Sequence, residues 1–501
     1  MGTSKPRPDL RPAAASLSRR SVLGAALATA AVAASPQTTR AETGFVLNDA
    51  SQLNPTPVAQ HVVVGPDPDA VVLARLRAEL REATAAGRPV AFGAARHSMG
   101  GQSLARCGTA LTFKGPGCIL DGAAGTYRAR LGTRWRDVIA TLDPLGFSPA
   151  VMQSNNDFGV ASTFSVNAHG WPVPYGPYGT TVRSLRLMLA DGSVVTCSPR
   201  ENEDLFRLAM GGYGLLGIIL DLDAEAVPNC SLVPSFEVLP AGSFARRFVQ
   251  LCADPSTAMA YGRLNVAAHD FLGEALMVGY RRGPTPSGAL PKAGTGGMMS
   301  AVSREVYRAQ IGSELGKRGR WFVETVVAPR GFEGGATRNT LLNEPVSNLA
   351  GRDPSRTDIL HEYFVPPERF AEFLSACRDV IPRSAQDLIN VTLRYVAADT
   401  MSVLAYAPAP RIAAVMSFAQ ERTAEADADM RRMTQALIDR VIAFGGSFYL
   451  PYRLHARRDQ VERVYPNLAR FAELKRRYDP GLLFRNALWD AWLADQASGR
   501  I

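Results

Sequence analysis

A single imidazole lies within a run of small residues near the start of the chain. Ala91–Leu104 reads AFGAARHSMGGQSL, contains Arg96, His97 and Ser98, and follows a short apolar run that predicts a strand. Small side chains let main-chain N–H groups approach a ligand closely, and consecutive N–H groups in a turn bind anions such as a pyrophosphate. The segment has neither the lysine of a P-loop nor a GxGxxG turn, so by itself it also fits an ordinary tight turn.

Two later segments combine glycines with small polar residues in the same way. Ser154–Gly179 reads SNNDFGVASTFSVNAHGWPVPYGPYG, which is too polar for a core and too β-prone for a linker. Asp204–Pro228 predicts a helix that ends at Gly211 and Gly212, with a buried strand after it. Three such turns along one chain favour a binding site over three unrelated loops.

Polar side chains that could do chemistry lie on a predicted strand further along. In Leu388–Tyr395, the side chains of Asn390, Thr392 and Arg394 point to one face and apolar side chains point to the other. A guanidinium in such a place can stabilise a developing anion. The same alternation is also typical of an ordinary half-exposed sheet.

A second predicted strand, Asp358–Pro366, places His361 and Glu362 on opposite faces, so at most one of them can face a shared site. A carboxylate or an imidazole there can accept a proton. Gly445–Ala456, which reads GGSFYLPYRLHA, adds three polar side chains after an apolar run: Tyr452, Arg453 and His455. These three could equally form a polar surface cap.

The elements that position these residues fall into zones. Over residues 60–229, short β-rich runs alternate with turns, and Asp69–Ala86 predicts a helix because apolar residues recur at three- and four-residue spacing. Over residues 230–439, long strands alternate with helices such as Glu368–Val380, which begins after a Pro-Pro pair. The Gly/Pro/Ser-rich stretch Gly283–Gly297 predicts a mobile loop.

The last zone begins at Val441 and contains a predicted charged helix, Gln460–Tyr478, and a compact end, YDPGLLFRNALWDAW. It is too short to bury a core alone, so it is expected to complete the first zone. With 501 residues the chain is also too long for a single core. We therefore predict domains at residues 55–229 and 230–440, with residues 441–501 returning to the first domain.

The first 41 residues are predicted to be a processing signal. Ser18–Gly24 reads SRRSVLG, a twin-arginine pattern, and a weakly apolar alanine-rich run, Ala25–Ala34, follows it. That run is too short to remain as a membrane span, and cleavage after Ala33 or Ala41 fits the sequence. The alternative is a disordered Ala/Arg tail. Twin-arginine export to the periplasm or the medium carries folded proteins, which favours a cofactor inserted in the cytoplasm.

Charge and cysteine content exclude several classes of function. More than half of the net charge of +9 lies in the predicted signal, which holds six basic side chains and one acidic side chain. No Lys/Arg-rich run interleaved with aromatic residues follows it, so nothing in the sequence favours nucleic-acid binding. The six cysteines have no ligand spacing, which argues against a disulfide lattice and predicts no metal site. No later segment is apolar enough for stable membrane insertion.

Together the three glycine-bearing segments resemble the vanillyl-alcohol oxidase/p-cresol methylhydroxylase (PCMH-type) superfamily of FAD-linked oxidoreductases. The family's loops have the forms GxxHSxxG, GG-small-SxNxHG and GxGxLGIIT; here they read GAARHS from Gly93, VASTFSVNAHG from Val160 and GYGLLGII from Gly212. The C-terminal YDPGLLFRN is similar to the family's closing motif. The resemblance covers residues 60–229 and 440–490 and is nearest to sugar, lactone and alditol oxidases.

This resemblance implies an α+β, two-domain fold in which a PCMH-type FAD-binding domain carries a separate α+β substrate (cap) domain. FAD would lie extended, with its pyrophosphate on the first two loops and its isoalloxazine ring between the domains. The cofactor-binding residues that it implies are Gly93, Ala94, Ala95, Arg96, His97, Ser98, Gln102, Ser162, Thr163, Val166, Asn167, His169, Gly170, Gly217, Ile218 and Asn486.

His97 occupies the position at which many members of the family are bonded to the flavin 8α-methyl group through a ring nitrogen. A hydrogen bond to the cofactor without a covalent link is the alternative role. The second covalent anchor of some members, a cysteine between Ser154 and Val166, is absent. The chain also departs from the family at Ala161 and Ser162, where relatives usually have two glycines, and this puts its reactivity towards oxygen in question.

The resemblance also implies which residues carry the chemistry. Arg394 looks like a substrate-facing arginine of the sugar and lactone oxidases, but Thr392 stands where many relatives have glutamate, and Gly445–Ala456 lacks a lysine that some of them carry. The catalytic candidates are Arg394, Tyr452, Arg453, His455 and Glu362.

We therefore expect an exported FAD-dependent enzyme that oxidises a CH–OH group of a sugar, lactone or polyol-like small molecule and passes electrons to oxygen or a periplasmic carrier. Tyr449–Pro451 and the HSxxGQ form of the first loop are similar to cytokinin dehydrogenases, so oxidation of a CH–NH group is the alternative. A flavin-binding protein without catalysis is the third interpretation, because the lysine and glutamate of relatives are missing.

Overall fold

The computed structural model describes residues 39–41, 44–284, 288–294, 304–331, 336–346, 351 and 353–497. The predicted signal at residues 1–41 lies outside these ranges except for Thr39–Ala41, which forms a short strand. The predicted loop Gly283–Gly297 lies partly outside them. The twin-arginine signal, its cleavage sites and the mobility of that loop therefore stay predictions.

Three sheets are built from the first half of the chain. The strands are β1 (Thr39–Ala41), β2 (Gly44–Leu47), β3 (Thr56–Val58), β4 (Gln60–Val64), β5 (Val90–Gly93), β6 (Thr109–Phe113), β7 (Cys118–Asp121), β8 (Thr126–Arg130), β9 (Phe147–Pro149), β10 (Val182–Met188), β11 (Val194–Cys197) and β12 (Ile218–Pro228). A small antiparallel sheet has the order β1-β2-β3 and a parallel sheet the order β4-β6-β5. The third sheet is antiparallel, in the order β11-β10-β12-β8-β7, with β9 beside β12.

The C-terminal segment contacts the edge of the parallel sheet. Val90 in β5 pairs in parallel with Phe484, and the Val90 N–H donates to the main-chain oxygen of Leu483 over 2.6 Å. The helix Asp69–Ala85 packs its apolar face against the same core. The strand from which the first glycine-bearing loop leaves is thus held on both edges.

The second half of the chain builds one seven-stranded antiparallel sheet, here called the cap sheet. Its strands are β13 (Leu232–Pro240), β14 (Thr257–Leu264), β15 (Glu274–Arg282), β16 (Arg356–Val365), β17 (Asp387–Val396), β18 (Arg411–Glu421) and β19 (Ser447–Phe448). The order is β13-β15-β14-β17-β18-β16-β19. Because β19 belongs to it, this sheet extends past residue 440, the boundary predicted from the sequence.

Helices such as Ala241–Ala253 and Phe370–Val380 cover one face of the cap sheet. Phe244, in the first of them, lies against Gly262, which pairs with Leu393, and Phe373, in the second, contacts Tyr363. Side chains alternate along a strand, so the pairing of β14, β17, β18 and β16 places the residues next to these covered positions on the opposite face. We call that opposite face, which carries Arg263, Thr392, Arg394 and Glu362, the open face.

The α-helices span Asp69–Ala85, Trp135–Leu142, Val160–Ser165, Glu203–Ala209, Ala241–Ala253, Glu314–Phe322, Ala328–Gly331, Arg338–Leu342, Phe370–Val380, Ala424–Ala443, Arg458–Val464 and Leu468–Tyr478. The predicted α+β class is confirmed. The prediction of one helix over Gln460–Tyr478 is wrong, because Pro466 lacks an N–H and divides it into two. Within the described ranges, no helix has the length and apolar character needed to cross a membrane.

Candidate functional site

A cavity of about 700 Å³ lies where the three glycine-bearing segments meet. Its lining includes these predicted residues: Gly93, Ala94, Arg96, His97, Ser98, Gln102, Ser162 and Val166. In the first loop, Ala95 alone among the predicted residues is outside the lining. The structure therefore brings together segments that are far apart in the sequence.

Each of the three segments holds one non-glycine residue in the left-handed backbone region. Arg96, Asn167 and Tyr213 have φ values of +51°, +48° and +54°. Such a conformation costs on the order of 1 kcal/mol or more and persists where the surrounding structure requires it. The sharp turns that the small residues predict are thus present in all three loops.

The first two loops touch at a glycine that precedes the helix Val160–Ser165. A Cβ at Gly159 would lie 2.8 Å from the Cβ of Ala94, closer than two such atoms pack. A hydrogen at this position lets the two main chains approach each other. Gly159 lines the cavity together with Ser162, so the contact defines one wall of the site.

Four predicted cofactor-binding residues of the second segment lie outside the cavity lining: Thr163, Asn167, His169 and Gly170. Buried hydrogen bonds account for two of them. The Trp135 Nε1–H donates to Thr163 Oγ1 over 2.9 Å, and Asn167 Nδ2 donates to Asp399 Oδ2 over 2.9 Å. These side chains fix the segment from behind, while Ser162 and Val166 face the cavity.

In the third segment, the predicted residues Gly217 and Ile218 do not line the cavity, whereas the next residue along the strand does. A Cβ at Gly217 would lie 2.5 Å from the Met188 carbonyl oxygen, and Ile218 packs in the core beside the parallel sheet. Because side chains alternate along β12, the neighbouring Ile219 faces the cavity. Tyr213 from the preceding turn also lines it. The sequence identified the segment but not the phase of its side chains.

The C-terminal motif joins the first and third loops. Asn486 Nδ2 donates to the main-chain oxygens of Gln102 and Tyr213 over 2.8 and 2.9 Å, and its Oδ1 accepts from the Trp489 N–H over 3.1 Å. Asn486 also lines a smaller adjoining cavity of about 170 Å³. Its side-chain donors are thus used to hold two loops that line the main cavity.

The main cavity offers unpaired polar atoms to a ligand. Arg96 Nε and Ser103 Oγ are buried in its wall and have no hydrogen-bond partner among the residues that the structure describes. Burial lowers the pKa of Arg96 to about 10, so the guanidinium is still cationic at neutral pH. A buried cation, a free hydroxyl and closely approaching main chains fit the pyrophosphate of FAD.

His97 lies in the cavity wall in its neutral form. Its ring stacks on Phe158, with the ring centroids 4.0 Å apart. Burial lowers the pKa of His97 by more than the neighbouring Asp157 raises it. A neutral imidazole has the free ring nitrogen that a covalent bond to the flavin requires.

A second polar cluster lies where the cap sheet meets the second segment. His169 Nε2 lies 2.5 Å from Glu362 Oε1, and the Tyr452 hydroxyl donates to Glu362 Oε2 over 3.2 Å. A carboxylate only accepts, so His169 Nε2 is the donor of the first bond. The side chains of His169 and Glu362 are 4% and 2% exposed. Sequence reasoning singled out both residues but not their contact.

This cluster is linked to the wall of the main cavity. Burial, followed by the negative charge of Glu362, raises the pKa of Tyr452 well above its usual value, so its phenol remains a donor. The pKa of Tyr213, a lining residue, is raised for the same two reasons. Tyr449 donates to the main-chain oxygen of Val166, another lining residue, over 2.7 Å.

The open face of the cap sheet brings Arg394 to the same side as Glu362. Glu362 pairs with Val415, and Val415 pairs with Thr392, so these three side chains share the face. Arg394, two residues after Thr392, is 7% exposed, and burial lowers its pKa to about 10. The interpretation of this strand as an ordinary half-exposed sheet is wrong, because Trp171 from the first half of the chain and Arg320 from the second lie against the open face.

Two predicted catalytic residues are engaged elsewhere. Arg453 donates to Asp427 Oδ1 over 2.8 Å, and His455 Nε2 lies 3.2 Å from the same oxygen. The ring of His361 lies beside His455, on the helix-covered side of the sheet, whereas Glu362 lies on the open face. We therefore leave Arg453 and His455 out of the proposed catalytic set. His455 is fully buried, so the surface-cap alternative is wrong for it.

Comparison with known proteins supports the cofactor. Residues 68–198 match the model of a family described as an FAD binding domain. The chain is 33% identical over 113 residues to a putative D-arabinono-1,4-lactone oxidase of Neurospora crassa, covering 23% of this chain and 20% of the relative. It is 31% identical over 131 residues to cytokinin dehydrogenase 4 of Arabidopsis thaliana, covering 25% of each. It is 32% identical over 97 residues to L-gulonolactone oxidase of Mus musculus, covering 19% and 22%.

These relatives are therefore matched over a quarter of their length or less. The matched region contains the first two glycine-bearing loops, which supply much of the cavity lining. The cofactor predicted from the loops, FAD, is confirmed. Among the described residues, no group of three or more His, Cys, Asp or Glu side chains could hold a metal ion. Residues 68–198 are therefore an FAD binding domain, and the chain is similar in this region to FAD-linked oxidoreductases.

Proposed function

We propose that the protein oxidises a CH–OH group of a sugar, lactone or polyol-like small molecule. The observation that carries this proposal is the buried carboxylate of Glu362, which His169 and Tyr452 hold on the same sheet face as Arg394. A proton acceptor beside a buried cation is the pair that alcohol oxidation needs. Two of the relatives are named as lactone oxidases, which supports this donor class.

Oxidation of an alcohol to a carbonyl removes a hydride from carbon and a proton from oxygen. When bound, FAD supplies the acceptor for the hydride. Glu362 accepts the hydroxyl proton, and the bonds from His169 and Tyr452 fix the orientation of its carboxylate. Arg394 stabilises the negative charge that develops on the substrate oxygen as the O–H bond breaks.

Glu362 takes the role of the glutamate that many relatives have at the position of Thr392. The two positions are separated by one strand, so their Cα atoms lie roughly 10 Å apart at the usual strand spacing. The carboxylate therefore reaches the site from β16 instead of β17. This accounts for the missing glutamate without loss of the base.

Glu362→Gln tests the proposal, because glutamine keeps the size of the side chain but cannot accept the proton. With a panel of sugars, sugar acids, lactones and polyols, we expect anaerobic flavin bleaching to slow by about 10²- to 10⁴-fold while FAD stays bound. Glu421→Gln, at the exposed end of β18, is the matched control and should bleach at the normal rate. An undiminished rate in Glu362→Gln would remove this residue as the base.

The same carboxylate could accept a proton during oxidation of a CH–NH group, and one of the relatives is named as a cytokinin dehydrogenase. Adenine-type amines therefore belong in the panel. Bleaching by amines alone would replace the CH–OH proposal with this second one. No bleaching by any donor would favour a flavin-binding protein without catalysis.

We also propose that residues 1–41 direct export by the twin-arginine route and that oxygen or a periplasmic carrier reoxidises the flavin. Replacing Arg19 and Arg20 together by lysine should retain a fused reporter in the cytoplasm, measured by cell fractionation. Reporter export that survives this change would contradict the first statement. The rate at which colour returns in air after bleaching tests oxygen as the acceptor.

A further inference from the structure

The open face of the cap sheet carries a second arginine for which the oxidation itself has no need. Arg263 on β14 pairs in register with Thr392 on β17, so its side chain lies on the same face as Arg394. The Tyr261 ring lies beside it, with its centroid 5.3 Å from Arg263 Cζ. Neither Arg263 nor Tyr261 stands out in the sequence, because no local motif surrounds them.

Arg263 is held in place by neutral groups. Its Nη1 donates to Asn390 Oδ1 over 3.1 Å and to Thr392 Oγ1. Arg394 Nε is buried and has no hydrogen-bond partner in the part of the chain that the structure describes. The negative charge of Glu362 raises the pKa of Arg394 against the larger effect of burial, but among the described residues neither guanidinium forms an ion pair.

The carboxylates nearby are already engaged. Glu362 accepts from His169 and Tyr452, and Glu324 accepts from Arg320 Nε over 2.9 Å. Burying a cation without a direct ion-pair partner is costly, and here one of the two guanidiniums is more than nine-tenths buried. A ligand with its own negative charge would supply the missing partner.

Short side chains lie on the sheet beside the arginines and the base. The residues of β18 that stand opposite Arg394 and Thr392 are Ala413 and Val415, whose side chains are short. Trp171 borders the same region, with its ring centroid 6.0 Å from Arg394 Cζ and its Nε1–H buried without a partner among the described residues. The region thus combines two cations, the N–H donor of Trp171 and the short side chains of Ala413 and Val415 on the sheet.

We infer that Arg263 and Arg394 bind a carboxylate of the substrate, so that among sugar-like donors the protein prefers a sugar acid, such as an aldonate or a uronate, to a neutral sugar or polyol. This inference rests on the proposed oxidation and names its substrate class. Guanidinium pairs with carboxylate through two parallel N–H···O bonds, which gives geometry as well as charge. Arg263 is then a specificity-determining residue. Arg394 contacts both this carboxylate and the neighbouring reacting oxygen, and Glu362 remains the base.

Binding can be measured by rapid anaerobic mixing of the holoenzyme with each probe, as the change in flavin absorbance that precedes any bleaching. Two matched pairs serve as probes: gluconate with sorbitol, and glucuronate with glucose. We expect the acid of at least one pair to bind at least 10-fold more tightly than its neutral partner. Arg263→Gln should weaken acid binding by about 10- to 100-fold and leave neutral binding unchanged, and Arg263→Lys should recover part of the loss.

Arg281→Gln, an exposed arginine on β15, is the matched control and should change neither affinity. Equal affinity within both pairs, or equal loss of acid and neutral binding in Arg263→Gln with FAD retained, would overturn the inference. Tighter binding of glucose 6-phosphate than of either acid would assign the site to phosphate and also overturn it. If no donor bleaches the flavin, the oxidation proposal fails, but the binding measurement still reports whether the anion site exists.

Discussion

Replacing Asn486 by aspartate removes two hydrogen-bond donors without changing the size of the side chain. Asn486 is 3% exposed, and its Nδ2 donates to the main-chain oxygens of Gln102 and Tyr213. An ionised aspartate cannot donate, so both carbonyl oxygens lose their partner and face a negative charge. The Trp489 N–H keeps its acceptor, which confines the perturbation to the two loops of the cavity.

Each buried carbonyl left without a donor costs about 1–3 kcal/mol. Asn486→Asp should therefore lower the free energy of unfolding by roughly 2–6 kcal/mol at neutral pH. Burial and the two carbonyl dipoles raise the pKa of the new carboxyl group in the folded variant above its unfolded value of about 3.9. Protonation restores one donor, so the deficit is smallest in acid and grows as the pH rises through the folded pKa.

Urea unfolding of the apo and FAD-loaded variants between about pH 4 and 8 measures this deficit. FAD affinity should fall as well, because Gln102 and Tyr213 line the cavity. Asn467→Asp is the matched control, since Asn467 is exposed and its Nδ2 makes one bond of 3.3 Å to the Val403 carbonyl. The reasoning is refuted if Asn486→Asp stays within about 0.5 kcal/mol of the wild type and keeps its FAD affinity.

If the covalent bond exists, acid precipitation of the wild type should leave the yellow colour with the polypeptide. His97→Ala should release the flavin under the same treatment. Colour that stays with the variant polypeptide contradicts the link. For Asp427, burial raises the pKa, but the hydrogen bonds and charges of His455 and Arg453 outweigh it, so the net pKa lies below its usual value. The stability that ionised Asp427 contributes to the fold is present above the unfolded pKa of about 3.9 and is lost as the pH falls through the folded pKa. Asp427→Asn should lower the unfolding free energy by about 1–3 kcal/mol at neutral pH. It should also weaken the fall of the melting temperature with decreasing pH. An unchanged dependence of the melting temperature on pH argues against this account.

Close approach of the main chain to a ligand requires small residues within one short stretch of sequence. The first loop could therefore be recognised from the sequence. Gly93, Arg96, His97 and Ser98 all line the cavity as predicted. Which side chains of a strand face the cavity cannot be recognised in this way, because it depends on what packs against each face of the strand. Ile218 and Ile219 are equally apolar, and packing against the parallel-sheet core decides which of them faces the cavity.

The sequence by itself determined the three loops, the FAD-binding character of the first half and the opposite orientation of His361 and Glu362, because each follows from residue type and short-range periodicity. Tertiary structure alone decided that helices cover the His361 face, that Glu362 meets His169 across 193 residues of chain, and that Arg263 joins Arg394. Periodicity shows which side chains share a face, but what covers that face depends on elements that are distant in sequence.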